Sequence, residues 1–172
     1  MKLLNTIHNY DVFLFSWLHN AKFHERIASI SRYISRTANG DLYVLAAAFL
    51  YWHAGLSQLL QAMMVAFAIE RPVYFVLKNS FKRNRPQAAL TDFCSLIVPS
   101  DVFSFPSGHT SAAFMMATLL TYFFPVLQIP LFCWAGLVGF SRVALGVHFP
   151  TDILVGSVMG CSIAWFVMRQ IN

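Results

Sequence analysis

The chain has 172 residues, of which 58% are apolar and only 11% charged, where a soluble domain carries roughly 25% charged residues. That balance excludes an ordinary water-soluble core and makes lipid the expected solvent. The net charge of +5 is not gathered into a long basic stripe, so nucleic acid is not an expected partner; it fits loops facing the cytoplasm and anionic headgroups, or a site for an anionic substrate.

Residues 1–38 contain no clean membrane span. Val12–Leu18 is apolar but short, and is flanked by His8, Asp11 and His19. Residues 22–36 place Phe23, Ile27, Ile30 and Ile34 three and four apart among charged neighbours, the pattern of an amphipathic helix lying in the interface. The N-terminus is a poor signal peptide, with polar residues in its apolar stretch and no small-residue cleavage site. Asn39-Gly40 stops that helix, and Asp41 is placed to cap the next.

From Leu42 to Ile69 the chain runs 28 residues without a formal charge. One helix of that length would reach about 42 Å, well beyond a hydrocarbon core of about 30 Å. His53-Ala54-Gly55 with Ser57 is the expected break, giving spans over 41–54 and 57–81. Glu70-Arg71-Pro72 falls inside the second, where Pro72 should kink it. Residues 82–106 are polar, proline-containing and aperiodic, which predicts a long loop outside the membrane. Spans over 108–124, 129–146 and 151–169 follow. The prediction is an all-α, polytopic bundle of five spans, with a sixth only if residues 1–38 hide one. One domain covers 1–172, divided into an interfacial segment at 1–38 and a helical bundle at 41–172. Counting spans puts the 82–106 loop, the 147–150 loop and the N-terminal segment on one face.

Three polar groups stand at span edges on that face. Lys78 and Arg85-Pro86 are separated by six residues, so both cations can project from one helix face before Pro86 ends the helix. A point charge and a planar fork suit phosphate oxygens; a basic cluster with Lys82 and Arg83 against headgroups is the plainer reading. Pro106-Ser107-Gly108-His109 opens a helix and offers a hydroxyl, an unobstructed backbone N–H and a proton donor, or else a simple capping turn. Ser141-Arg142 and His148 with Asp152 add a further guanidinium and an imidazole beside a carboxylate. That last pair reads as an oriented nucleophile or as an ordinary cap. Cys94, Cys133 and Cys161 lack metal or disulfide spacing; Cys133 and Cys161 should be buried or lipid-facing.

Taken together and in this order, the three groups resemble the signature of the type 2 phosphatidic acid phosphatase (PAP2) superfamily, over about residues 70–160. The resemblance implies a metal-free, cofactor-free phosphatase. By position, His148 attacks phosphorus to form a phosphohistidine, Asp152 orients His148, and His109 protonates the leaving oxygen and then activates water. Lys78, Arg85, Arg142, Ser107 and the Gly108 N–H hold the phosphate oxygens. The membrane setting implies a lipid substrate: a phosphatidic acid, a phosphatidylglycerol phosphate, a lipid A phosphate or undecaprenyl pyrophosphate. Alternatives on the same scaffold are a lipid phosphotransferase and a non-catalytic lipid-binding or transport module. The small size resembles bacterial members, implying the inner membrane. All Lys and Arg except Arg71 and Arg169 fall on the motif face, which by charge alone reads as cytoplasmic. Motif residues are poor topology evidence, and the resemblance places the site on the periplasmic side. Glu70 and Arg71 lie outside the motifs; they read as a self-neutralising pair, or Arg71 supports Lys78 or touches a headgroup.

Overall fold

A computed structural model describes residues 2–22, 24–91, 93–99 and 101–171, with the side chains of 2–5 left undescribed. Phe23, expected on the amphipathic face, lies outside the described residues. The elements in order are α1 (Lys2–His19), α2 (His24–Arg36), α3 (Gly40–Ala54), α4 (Gln58–Phe81), α5 (Pro86–Ala89), α6 (Gly108–Phe123), a 3-10 turn (Pro125–Leu127), α7 (Gln128–Ala144) and α8 (Pro150–Ile171). Among the described residues there is no strand, only an isolated bridge between Asn84 and Phe103.

The long apolar run breaks where glycine and serine permit it. Gly55 adopts a φ of 61° and its N–H closes α3 on the Tyr51 carbonyl, while the Ser57 side chain accepts from Leu60 N to start α4. The expected cap is different: Asn39, not Asp41, is the N-cap of α3, and Asp41 sits in its first turn. Pro72 lies inside α4.

Helix α6 is the hub. Ala112, Ala113, Met115, Met116, Ala117 and Leu119 are all buried, against α4, α7 and α8. The approach of α8 is set by two glycines one turn apart. A Cβ on Gly156 would lie 2.7 Å from the Ser107 carbonyl, and one on Gly160 would press on the Ser111 carbonyl. Only bare backbone lets the helices come this close, the packing that membranes favour where burial of apolar surface gives no drive. The contact also brings the start of α8 to the start of α6, where Ser107 N donates to the Asp152 carbonyl at 3.1 Å.

Large apolar side chains face outward along the bundle: Trp52 is 86% exposed, Val158 65% and Phe75 67%. In water such a surface would be a liability; in lipid it is the expected exterior. Three segments are long and apolar enough to cross a membrane, Gln58–Phe81, Pro125–Ala144 and Pro150–Ile171. Helices α3 and α6, with 15 and 16 residues, reach only about 22–24 Å.

Helix α2 turns only part of its apolar face inward: Ile27 and Ile34 are half-buried against the core. Its buried residues are Ala28, Ser31 and Ser35, packed on α7, while Ile30 is exposed. Small side chains let α2 seat closely on the bundle. Cys133 is exposed on α7 and Cys161 half-buried.

Candidate active site

The polar ends of α4, α6, α7 and α8 meet at one end of the bundle. Lys78 stands in the last turn of α4 and is buried. The helix ends at Phe81 because Lys82 takes the left-handed conformation, φ 46°. Arg85 therefore does not share a helix with Lys78, and Pro86 starts the short α5 rather than ending α4. The two cations still converge, because both reach one carboxylate in the following loop. Lys78 Nζ donates to Asp101 Oδ1 at 2.8 Å and Oδ2 at 2.9 Å. Arg85 Nη2 donates to Asp101 Oδ1, and its Nε donates to the Asp101 carbonyl at 2.9 Å. Tyr74, one turn before Lys78, donates to Asp101 Oδ2 at 2.6 Å. Burial pushes the Asp101 carboxyl up, but donation from Lys78, Tyr74 and Arg85 outweighs it and holds the group at about 2. Nothing in the spacing of the chain signalled Asp101; only the fold brings it between the two cations.

Ser107 is the N-cap of α6, wholly buried, with its hydroxyl toward Thr110. Gly108 is needed next because a Cβ there would lie 2.9 Å from the Tyr74 ring. His109 follows, and its Nε2 donates to Asn39 Oδ1 at 3.1 Å, from the residue that starts α3.

Arg142 closes α7. It is 5% exposed, and its only side-chain hydrogen bond among the described residues goes from Nη1 to Ser35 Oγ of α2, at 2.6 Å. Its Nε has no partner, and no carboxylate pairs with it among the described residues. A buried guanidinium without an anion is costly, so the arrangement suits an anion arriving from outside the chain.

His148 lies in the turn between α7 and α8, 2% exposed. Arg85 Nη1 donates to the Val147 carbonyl at 2.6 Å and lies 3.4 Å from His148 Nε2. On the other side His148 Nδ1 is 3.6 Å from Asp152 Oδ2, an ion-pair distance rather than a hydrogen bond. Asp152 Oδ2 accepts from Phe149 N at 2.8 Å, and Oδ1 accepts from Arg83 Nη1 at 2.8 Å. Burial lowers the His148 pKa to about 4; Asp152 pulls it upward, and the Arg142 and Arg85 charges push it down again. The ring is thus a free base at neutral pH, with Nε2 facing the cation cluster.

Two cavities meet at His109. One, about 500 Å³, runs between α3 and α4 from apolar Val44, Met63 and Phe67 to Arg71, Asp101 and His109. The other, about 270 Å³, is lined by Arg32, Arg36, Arg142 and His109 together with Ile97, Val98 and Leu145. Among the described residues no three His, Cys, Asp or Glu side chains converge to hold a metal. The eight expected site residues are all brought to this end of the bundle. Asp101, Tyr74, Asn39 and Ser35 join them, and none belongs to a motif.

The PAP2 superfamily model matches residues 51–172. The chain is 38% identical to phosphatidylglycerophosphatase B of Bacillus subtilis (strain 168) over 117 residues, 61% of this chain and 54% of that protein. Among solved structures it resembles Aquifex aeolicus LpxE, with a TM-score of 0.82 and 28% identity over 92% of this chain and 94% of that one. It also resembles a transmembrane PAP2-type phosphatidylglycerolphosphate phosphatase from Bacillus subtilis, with a TM-score of 0.68 and 25% identity over 99% and 96% of the two chains. The chain spans about half the length of the curated relatives it matches.

Proposed function

The chain belongs to the PAP2 superfamily, and from that membership we propose that it is a membrane-embedded phosphatase that removes phosphate from a lipid. The observation that carries this reading is the buried Arg142, which forms no ion pair among the described residues and faces the same end of the bundle as Lys78, Arg85 and His148. Phosphoryl transfer asks a protein mainly for positioning and charge stabilisation, and this cluster offers both.

The substrate phosphate takes the position between Lys78 and Arg85 that the Asp101 carboxylate holds, with Arg142, Ser107 and the Gly108 N–H on its remaining oxygens. His148 Nε2 attacks phosphorus as the bond to the lipid oxygen breaks. His109 gives its proton to that oxygen, and the phosphohistidine forms. His109, now a base, draws a proton from water, which attacks phosphorus and frees His148 and inorganic phosphate. Asp152 orients the ring and offsets its developing charge. No step calls on a metal or cofactor.

The apolar cavity between α3 and α4 suits a lipid chain, and the arginines of the smaller cavity suit released phosphate, with His109 lining both. Names of relatives favour phosphatidylglycerol phosphate; phosphatidic acid and polyprenyl diphosphates are the alternatives. In this reading α3, α4, α6, α7 and α8 cross the inner membrane of a bacterium, α1 and α2 lie at the interface, and the site faces the periplasm.

The test is phosphate release by purified protein in detergent, with EDTA, across phosphatidylglycerol phosphate, phosphatidic acid and a polyprenyl diphosphate. The expectation is turnover of at least one lipid, unaffected by EDTA. Absence of release from every lipid, or loss in EDTA reversed by a divalent ion, contradicts it.

A further inference from the structure

Helix α1 lies outside the stretch matched by the family model, yet it sends a carboxylate into the polar end of the bundle. Asp11 is 1% exposed. A buried carboxylate is costly unless it is paired and hydrogen-bonded. Asp11 is both: Oδ2 accepts from Arg83 Nη2 at 2.6 Å, Oδ1 accepts from Thr151 N at 3.0 Å, and the Thr151 hydroxyl donates to Oδ2. Arg83 turns its other fork to α8, with Nη1 donating to Asp152 Oδ1 at 2.8 Å and to Thr151 Oγ1 at 2.7 Å. The guanidinium also lies 4.4 Å over the Phe149 ring. Phe149 is fully buried and packs against Phe15 of α1, ring centres 5.5 Å apart. One planar cation is thus clamped between two carboxylates, one from α1 and one from α8, directly behind the His148 turn.

We infer that Arg83, held by Asp11, is a positioning residue for the reaction: it fixes the Asp152 carboxylate and tunes the charge that Asp152 presents to His148. This rests on the roles proposed above for Asp152 and His148. The geometry explains the arrangement. Arg83 takes Asp152 Oδ1 and the Phe149 N–H takes Oδ2, so the carboxylate cannot rotate and Oδ2 stays toward His148 Nδ1. A guanidinium bound to Asp152 alone would draw off the negative charge that an attacking imidazole needs beside it. Sharing that guanidinium with Asp11 returns part of it. On this account the N-terminal helix is part of the catalytic apparatus and not only a membrane-surface anchor.

The sign of the electrostatic effect distinguishes this role from simple bracing. Asp152 is faced by Arg83 and His148, with Asp11 of α1 on the far side of Arg83, and its charge reaches Lys78 of α4; His148 is faced in addition by Arg85 and by Arg142 of α7, and its charge reaches His109 of α6. Removing Arg83 leaves two carboxylates without the cation between them, which raises the apparent pKa values of the coupled Asp152–His148 pair. Removing the Asp11 charge gives Arg83 wholly to Asp152 and lowers them.

The experiment uses the full chain in detergent with a short-chain phosphatidic acid, comparing Arg83→Gln, Arg83→Lys and Asp11→Asn with wild type and with His148→Ala. Arg83→Gln should lose about 10²-fold in kcat, the scale of a small misplacement, with KM within about threefold. The acid limb of its kcat profile should move to higher pH, and that of Asp11→Asn to lower pH. Arg83→Lys should recover part of the loss. If Arg83→Gln does not fold, the test is carried by the downward shift of Asp11→Asn and by a kcat below wild type in Arg83→Lys, and the absence of both overturns the proposal. Wild-type kcat and an unmoved acid limb in the folded variants, or shifts of the same sign, overturn the proposal. His148→Ala should be inactive; if it keeps turnover, the phosphatase mechanism falls and this inference with it, whereas an inactive His148→Ala beside unshifted Arg83 and Asp11 variants overturns this inference alone.

Discussion

Asp101 sits where the proposed reaction needs phosphate, so substitution by asparagine is informative in two directions at once. Asparagine keeps the shape and removes the charge that Lys78, Arg85 and Tyr74 hold. The carboxyl is held at about 2, against an ordinary 3.8, a difference worth roughly 2 kcal/mol. A third of the side chain meets solvent, and screening reduces the usable figure to about 1 kcal/mol. Because the pKa is depressed in the fold, this stability is present above the ordinary value of 3.8 and is lost as pH falls through about 2. Asp101→Asn should therefore lower Tm by about 2–4 °C at neutral pH, with the gap closing in strong acid. The same carboxylate competes with any incoming anion. Its removal should tighten inhibition by inorganic phosphate about fivefold, the factor that 1 kcal/mol represents. The assay is the phosphate inhibition constant at pH 7 for wild type and variant, beside their thermal melts. An unchanged or weakened inhibition constant refutes the idea that Asp101 competes for the cation cradle.

Arg142→Met should separate stability from function: replacing a buried cation that forms no ion pair among the described residues stabilises the fold by about 1–4 kcal/mol, while kcat/KM falls about 10²-fold or more; a lower Tm contradicts the account of Arg142. Gly160→Val should cost about 1–3 kcal/mol in a thermal melt, since the added side chain meets the α6 backbone at Ser111 and Met115, and an unchanged Tm contradicts the close packing of α6 on α8. The lowered pKa of His148, about 4, means the fold resists its protonation, so chemical denaturation should show His148 costing stability progressively as pH drops from 6.5 toward 4. Over that window the difference from His148→Phe should grow; a constant difference contradicts the buried, neutral ring.

The sequence was readable where chemistry and local geometry coincide. Gly55 and Ser57 mark the break between α3 and α4 because one permits a positive φ and the other supplies a capping oxygen, both local properties. Pro106 to His109 announces a helix start for the same reason. Lys78 and Arg85 were recognisable as a pair of cations that could meet one anion, but their shared helix was not real, because Lys82 enters the left-handed conformation and its own residue type does not favour that. The partners from distant segments had no signature. Asp101, Asn39 and Ser35 reach the site only through the packing of α2, α3 and a loop. Asp11 looked like a polar flaw in a short apolar stretch until α1 was seen to bring it to Arg83. The facing of α2 was legible only in part: Ile27 and Ile34 do pack on the core, but Ile30 points outward and the fully buried contacts are made by Ala28, Ser31 and Ser35.

The central claim is that phosphate passes through His148, and trapping that intermediate tests it most directly. Purified protein in EDTA would be mixed with a lipid carrying a radiolabelled terminal phosphate, quenched within one turnover, and digested for peptide mapping. The prediction is a label on the peptide containing His148, labile to acid and stable to alkali, and absent in His148→Ala. Full turnover with no label on His148, or a labelled His148→Ala, would contradict the mechanism.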